Sequence, residues 1–264
     1  MHSTFTPAHR GGSGTPLVCL HGFTDTWRTW ELVLPALERH HDVLAPTLAG
    51  HAGGPPFEGE VDDLALVDGV EQAMDDAGFE VAHLVGNSLG GYVSLQLASR
   101  GRAQSVVALA PAGGWAHGDE SYKETLDYFT TMQGMLKTAA PHAEAILSTP
   151  EGRRSATLYT ATSFEHIPAE LLAHARCGEL HRGVAADRPC DPRVLEPRCG
   201  EDHLPRADRV GHRRQAPVVA LGRRSLPPRL AAPRGLGRAR GRRPLPQLDI
   251  PVETAQLILR SSGS

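Results

Sequence analysis

Residues 85–91 read Val-Gly-Asn-Ser-Leu-Gly-Gly, and the fold follows from how that stretch is flanked. Before it runs VAHLVGN (81–87), a short apolar run. After it runs SLGGYVSLQLASR (88–100), with the length and composition of a helix. Gly86-Asn87-Ser88-Leu89-Gly90 therefore fits G-x-S-x-G at a strand-to-helix turn. Glycines two before and two after the serine let neighbouring backbone approach without a Cβ clash. The serine hydroxyl then projects from the carboxyl edge of a sheet, and the helix start behind it favours developing negative charge.

Outward from this turn the chain alternates. LVCLHG (17–22), DVLAPT (42–47), VAHLVGN (81–87) and SVVALAP (105–111) read as buried strands. Between them, 26–40 shows helical spacing of Trp27, Trp30, Leu34 and Leu37, and 61–79 places Leu64, Val67, Val70 and Met74 on one side. Strands alternating with helices predict a parallel sheet covered on both faces. From about Glu120 to Leu180 the pattern is mostly helical and reads as an inserted cap. The expected division is 1–117 for the first part of the core, 118–185 for the cap, 186–245 for an anomalous segment and 246–264 for a last core helix.

His21-Gly22-Phe23 follows the first strong strand. A turn there can aim the Phe23 N–H at the oxygen of a tetrahedral intermediate, with the Leu89 N–H as its partner. His21 is expected to order this turn through hydrogen bonds. Trp115, Tyr122, Tyr128 and Met135 suggest an apolar substrate pocket, although the core of a helical cap would also use them.

LVCLHGFTDTWRTW, PTLAGHAGGPP and VGNSLGGYVSLQLA together resemble the α/β-hydrolase fold family, firmly over 15–115 and loosely over the cap. The resemblance implies a Ser-acid-His triad with Ser88 as nucleophile, Phe23 and Leu89 as oxyanion donors, a small-molecule substrate, and neither cofactor nor metal. Serine at 88 argues against haloalkane dehalogenases, which use a carboxylate there. GNSLGG also resembles carbon–carbon bond hydrolases of aromatic degradation.

The triad acid and histidine are not identifiable. PQLDIPVETAQLIL (246–259) resembles the family's last helix and its lead-in, and the slot two residues before Pro246 is Pro244, which can neither accept nor orient a proton. Asp202 and His212 are the substitutes, but they lie too close in sequence for a helix and strand to fit between them. Asp119 is a weaker acid candidate.

The segment 186–245 differs in kind from the rest. It holds 15 Arg, 9 Pro and no Lys, and carries +9 where the whole chain is −3; the last aromatic residue of the chain is Phe164. Without aromatics, Lys or a motif it does not read as a nucleic-acid surface. It reads as translation out of frame. One nucleotide later, RADRVGHRR (206–214) back-translates to Val-Arg-Ile-Val-Trp-Gly-Thr-Asp, and 235–245 to a strand ending in Gly-His. Little strand is expected there, and the chain as written should be a poor enzyme. No apolar run approaches a membrane span, no leader is evident, and four cysteines without metal spacing suggest a reduced cytoplasmic protein of unassigned oligomeric state.

Overall fold

A computed structural model describes residues 6–57, 64–112, 121–157, 161–177, 218–221 and 245–264. Six strands form one sheet: β1 Ala8–Gly12, β2 Thr15–Leu20, β3 His41–Pro46, β4 Ala82–Asn87, β5 Ala103–Leu109 and β6 Val218–Leu221. Their order is β1-β3-β2-β4-β5-β6, with β1 antiparallel to β3 and every other pairing parallel. The four strands expected from the sequence are all present and parallel.

Alternation along each strand sorts the core into two faces. Val18, Leu20, Leu44, Leu84, Val106 and Ala108 join α2 (Ala65–Asp76) and α3 (Leu89–Ser99) on one side. Leu17, Cys19, Val43, Val85, Val107 and Leu109 join Trp30, Leu37 and the last helix on the other. Both faces being buried explains why these strands read as continuous apolar runs.

The region 26–40 is not one helix. A 3₁₀ turn spans Trp27–Trp30 and a four-residue α1 spans Leu34–Leu37. Pro35 has no N–H to donate to the Glu31 carbonyl, so a continuous helix stops there. The apolar spacing still holds, with Trp30, Leu34 and Leu37 buried.

The inserted region supplies α4 Ser121–Ala139, α5 Ala143–Leu147, α6 Pro150–Thr157 and α7 Ala169–Cys177. Leu147, Ile167, Leu171 and Leu172 form a separate small core that also takes Leu248 of α8 (Pro246–Asp249). The buried Asp249 carboxylate ties the two together. Its Oδ1 accepts from the N–H groups of Thr162 (2.7 Å) and Ser163 (2.6 Å), and its Oδ2 from the Thr162 hydroxyl (3.0 Å). Helix α9, Pro251–Ser262, then packs Ala255 and Ile258 on the sheet.

Within 186–245, Val218–Leu221 forms a strand in register with Val106–Leu109. Its sequence, VVAL, is a plain apolar run, and its partner is the sheet edge that the first four parallel strands leave open. Leu245 apart, the rest of that segment lies outside the described residues, and so do both cap boundaries. Among the described residues no helix is long and apolar enough to cross a membrane.

Candidate functional site

Ser88 lies between β4 and α3 with φ 51° and ψ −112°. A side chain holds that conformation only when its surroundings over-determine it. Here they do. A Cβ on Gly86 would stand 2.1 Å from the Gly90 carbonyl oxygen, and one on Gly90 would stand 2.2 Å from the Leu20 carbonyl oxygen. Both obstacles are backbone, so strand β4, helix α3 and the end of β2 close to this distance only with glycine at both places.

Hydrogen bonds then pin the turn from the β5 side. The Ser88 N–H donates to the Leu109 carbonyl at 2.9 Å. The Ser88 carbonyl accepts from Tyr92 N–H (3.1 Å) and Ala112 N–H (2.8 Å). The Asn87 side-chain amide also donates to the Leu109 carbonyl, at 3.2 Å. Asn87 and Leu89 are buried while Ser88 is partly exposed, so the turn presents the serine and hides its neighbours.

The loop after β2 lies directly over this turn. A Cβ on Gly22 would be 3.4 Å from the Ser88 Cβ and 3.1 Å from the Asn87 amide oxygen. His21 is fully buried and bridges two backbone groups. Its Nδ1–H donates to the Gly22 carbonyl (2.7 Å), and its Nε2 accepts from the Leu48 N–H (2.9 Å). That pair of bonds requires a neutral ring, and burial pushes the His21 pKa well below its ordinary value, with the neighbouring His51 adding to the effect. The Gly22–Phe23 peptide is trans, so its N–H points opposite to the carbonyl that His21 holds. His21 orders this turn, as its position in the sequence suggests.

Among the described residues neither the Phe23 N–H nor the Leu89 N–H has a hydrogen-bond partner. Leu89 begins α3, where donors are free by construction. The three described non-glycine residues with positive φ are Thr24 (62°), Ser88 and Ala110 (45°), all at this edge of the sheet. Local strain is thus concentrated where the serine, the loop after β2 and the end of β5 meet.

Ser88, Phe23 and Leu89 are therefore brought together. Asp119, Asp202, His212 and Pro244 lie outside the described residues, as does Trp115, and the Ser88 hydroxyl has no hydrogen-bond partner among the described ones. Met135 is 62% exposed. Helix α4 brings Phe129 edge-on to Phe23 at 5.2 Å between ring centres, while the side chains of Tyr122 and Tyr128 lie outside the described residues. His51 carries no motif that marks it in the sequence. It sits in the PTLAGHAGGPP loop, edge-on to both His21 (4.9 Å) and Phe23 (5.9 Å).

A parallel sheet wrapped by helices, with a serine on a strained turn at its carboxyl edge, defines the class of hydrolases built round a nucleophile turn. The family model described as "Alpha/beta hydrolase family" matches residues 17–255, and the chain belongs to that family. It is similar to an epoxide hydrolase of Mycobacterium tuberculosis, 42% identical over 93 residues, which is 35% of this chain and 44% of that protein. It is also similar to 2-hydroxymuconate semialdehyde hydrolase of a Pseudomonas species, 34% identical over 41% of this chain and 40% of the relative. The matches to these relatives thus span less than half of their length. Among solved structures, a meta-cleavage product hydrolase from Pseudomonas fluorescens superposes with a TM-score of 0.60 at 19% identity, over 97% of this chain and 93% of that one. At that identity the likeness is one of fold.

Proposed function

We propose that this chain is a serine hydrolase in which Ser88 attacks a carbonyl carbon and the Phe23 and Leu89 N–H groups hold the resulting oxyanion. The observation that carries this reading is the pairing of a strained, partly exposed serine with two nearby backbone donors that have no partner among the described residues. Attack forms the Oγ–C bond. The serine proton passes to a base and then to the departing alkoxide, and water cleaves the acyl-enzyme to acid and free serine. No cofactor is needed, and the substrate is a small carbonyl compound, ester-like in the first instance.

Chemistry separates this from the epoxide hydrolase among the relatives. A serine that opened an epoxide would be left as an ether, which water does not cleave at neutral pH. A serine on a carbonyl gives an ester, which water does cleave. The second reading in substrate terms is carbon–carbon bond hydrolysis, favoured by relatives named 2-hydroxymuconate semialdehyde hydrolase and 2-hydroxy-6-oxo-2,4-heptadienoate hydrolase.

The base and its orienting acid belong to 186–245 in this reading, where proline occupies the expected histidine slot. The chain as written is then an impaired hydrolase, retaining the ~10³–10⁴ acceleration that an oxyanion hole and binding supply without a full triad. The competing class is a non-enzyme derived from a hydrolase. A p-nitrophenyl acetate assay and labelling with a fluorophosphonate test both. Slow turnover and slow labelling are expected, each abolished by Ser88→Ala, with turnover rising at least 100-fold when 186–245 is re-expressed in the other frame. Turnover that survives Ser88→Ala, or a reframed chain that stays unreactive, removes this reading.

A further inference from the structure

The loop after β3 is built to hold one side chain still. Gly50 N–H donates to the Pro55 carbonyl (2.9 Å), His51 N–H to Leu48 (3.1 Å) and Gly54 N–H to His51 (2.9 Å). Gly50 has φ 73°, and a Cβ on Gly54 would stand 2.4 Å from the Leu48 carbonyl oxygen. The side chain so fixed is His51, 4% exposed.

Its Nδ1 lies 3.1 Å from the Ala49 carbonyl, an acceptor, so Nδ1 carries the proton and Nε2 presents a bare lone pair. Nε2 is buried and has no hydrogen-bond partner among the described residues. Buried acceptors are rarely left so. Two donors of the adjoining loops are already spent. Leu48 N–H is taken by His21 Nε2, and His21 Nδ1–H by the Gly22 carbonyl. The ring stands between His21 and Phe23, and Phe23 in turn meets Phe129 of the inserted helix α4. His51 thus packs against Phe23, which Phe129 meets in turn, and its unpaired Nε2 is buried beside the residue whose N–H the serine reading assigns to the oxyanion.

We propose that His51 Nε2 is a recognition site for a hydrogen-bond donor on the substrate, a hydroxyl, enol or N–H borne close to the carbonyl that Ser88 attacks. The inference rests on the serine reading above and deepens it: the substrate class becomes hydroxy- or enol-substituted carbonyl compounds. Burial and the desolvated surroundings keep the ring neutral, its pKa lowered to about 4, so the acceptor is available throughout the neutral range. A site made to accept a hydrogen bond discriminates against the analogue that lacks the donor, because its own buried atom is then unpaired.

The test is equilibrium binding rather than turnover, so that it fails or succeeds independently of the triad. 2-Hydroxyacetophenone and acetophenone are titrated into the full chain and into its Ser88→Ala form by calorimetry, with the His51 Nε2 resonance followed by ¹⁵N NMR. The hydroxyl-bearing ketone is expected to bind at least ~10-fold tighter in both proteins, the magnitude of one buried hydrogen bond, and to move Nε2 upfield. His51→Leu should equalise the two ligands, and His51→Gln, which keeps an acceptor, should retain part of the preference. Equal affinities in the unaltered chain, or a preference that survives His51→Leu, overturn the proposal. Failure of Ser88 to label with a fluorophosphonate would instead remove the serine reading while this binding result stands.

Discussion

The two ends of the sheet bury histidines in opposite ways. At the carboxyl end, Thr24, Ser88 and Ala110 sit at positive φ, Gly86 and Gly90 are jammed against backbone, and His51 Nε2 has no partner among the described residues. At the amino end, His41 uses both ring nitrogens. Nδ1 meets the Thr15 hydroxyl (2.8 Å) and carbonyl (3.2 Å), and Nε2 meets the hydroxyls of Ser262 (2.9 Å) and Ser264 (3.2 Å). His83 beside it engages Ser105 at 2.7 Å. The glycines at that end divide: Gly78 and Gly101 have positive φ and a methyl added to either would meet nothing within 4 Å, whereas a Cβ on Gly12 would stand 2.2 Å from the His41 carbonyl oxygen and one on Gly14 2.6 Å from that of His40. The amino end pairs its buried histidines and stabilises the sheet. The other holds strain and an unused acceptor, which is where open α/β sheets place their chemistry.

The glycines give the largest expected difference. Gly90→Ala drives a methyl to 2.2 Å from the Leu20 carbonyl, and β2 and α3 must separate to admit it. A loss of ~4 kcal/mol or more is expected, enough to unfold many domains of this size. Gly101→Ala meets no atom and carries only the left-handed backbone cost of ~1–2 kcal/mol. Urea midpoints of the two variants check this. Similar losses would mean that the close approach at the turn is not rigid.

Acid gives the next. His51 has a folded-state pKa lowered to about 4 from an ordinary 6.5 by burial. Between these values the unfolded chain binds a proton that the folded chain refuses, so stability is full above pH 6.5 and is lost as pH falls towards 4. That shift corresponds to ~3 kcal/mol. His21, His41 and His83 are lowered in the same direction, so the loss is shared between both ends. In His51→Leu the fall in urea midpoint between about pH 7 and pH 4.5 should shrink markedly. An unchanged fall would assign the acid sensitivity to the others.

At the amino end a smaller effect is expected. His41→Leu keeps the volume but leaves the Thr15 hydroxyl short of a partner, whereas the Ser262 hydroxyl retains the Leu259 carbonyl. A loss of ~1–2 kcal/mol follows, with faster amide exchange confined to the last turn of α9. Exchange accelerating instead around Ser88 would show the two ends to be coupled.

Most of the carboxyl end is legible in the sequence because its constraints are local. Four apolar runs, the glycine spacing about Ser88 and the His21-Gly22 turn each fall within a few residues. What escapes a reading of the sequence is held by partners far along the chain. β1, AHRGG, has no apolar alternation and exists because its backbone pairs with β3 at the sheet's edge. The Asp249 clamp joins residues 86 and 87 apart. His51 reads as one more residue of a Gly- and Pro-rich loop. Only its buried, unpaired Nε2 distinguishes it among the described residues, and that depends on contacts with the loop after β2. Pro35 is a readable helix break, but the apolar spacing of Trp27, Trp30, Leu34 and Leu37 argues against it, and the spacing turns out to serve burial without a continuous helix.

The smallest effect has the opposite sign. Ser88 holds φ 51° and ψ −112° with a Cβ in place, a conformation that glycine adopts freely. Ser88→Ala and Ser88→Gly both delete the hydroxyl, but only the second deletes the Cβ. The glycine variant should therefore be the more stable by ~1 kcal/mol, the lower end of the cost of such a backbone state, even though glycine gains more entropy on unfolding. Ser105→Gly at the amino end is the matched control. Ser105 is buried in extended β5 and its hydroxyl serves His83, so glycine there should destabilise by a similar amount. Thermal melts of the three variants decide the matter. A Ser88→Gly protein no more stable than Ser88→Ala would mean that the turn is held at no cost, and that the contrast between the two ends of the sheet lies in how their histidines are paired.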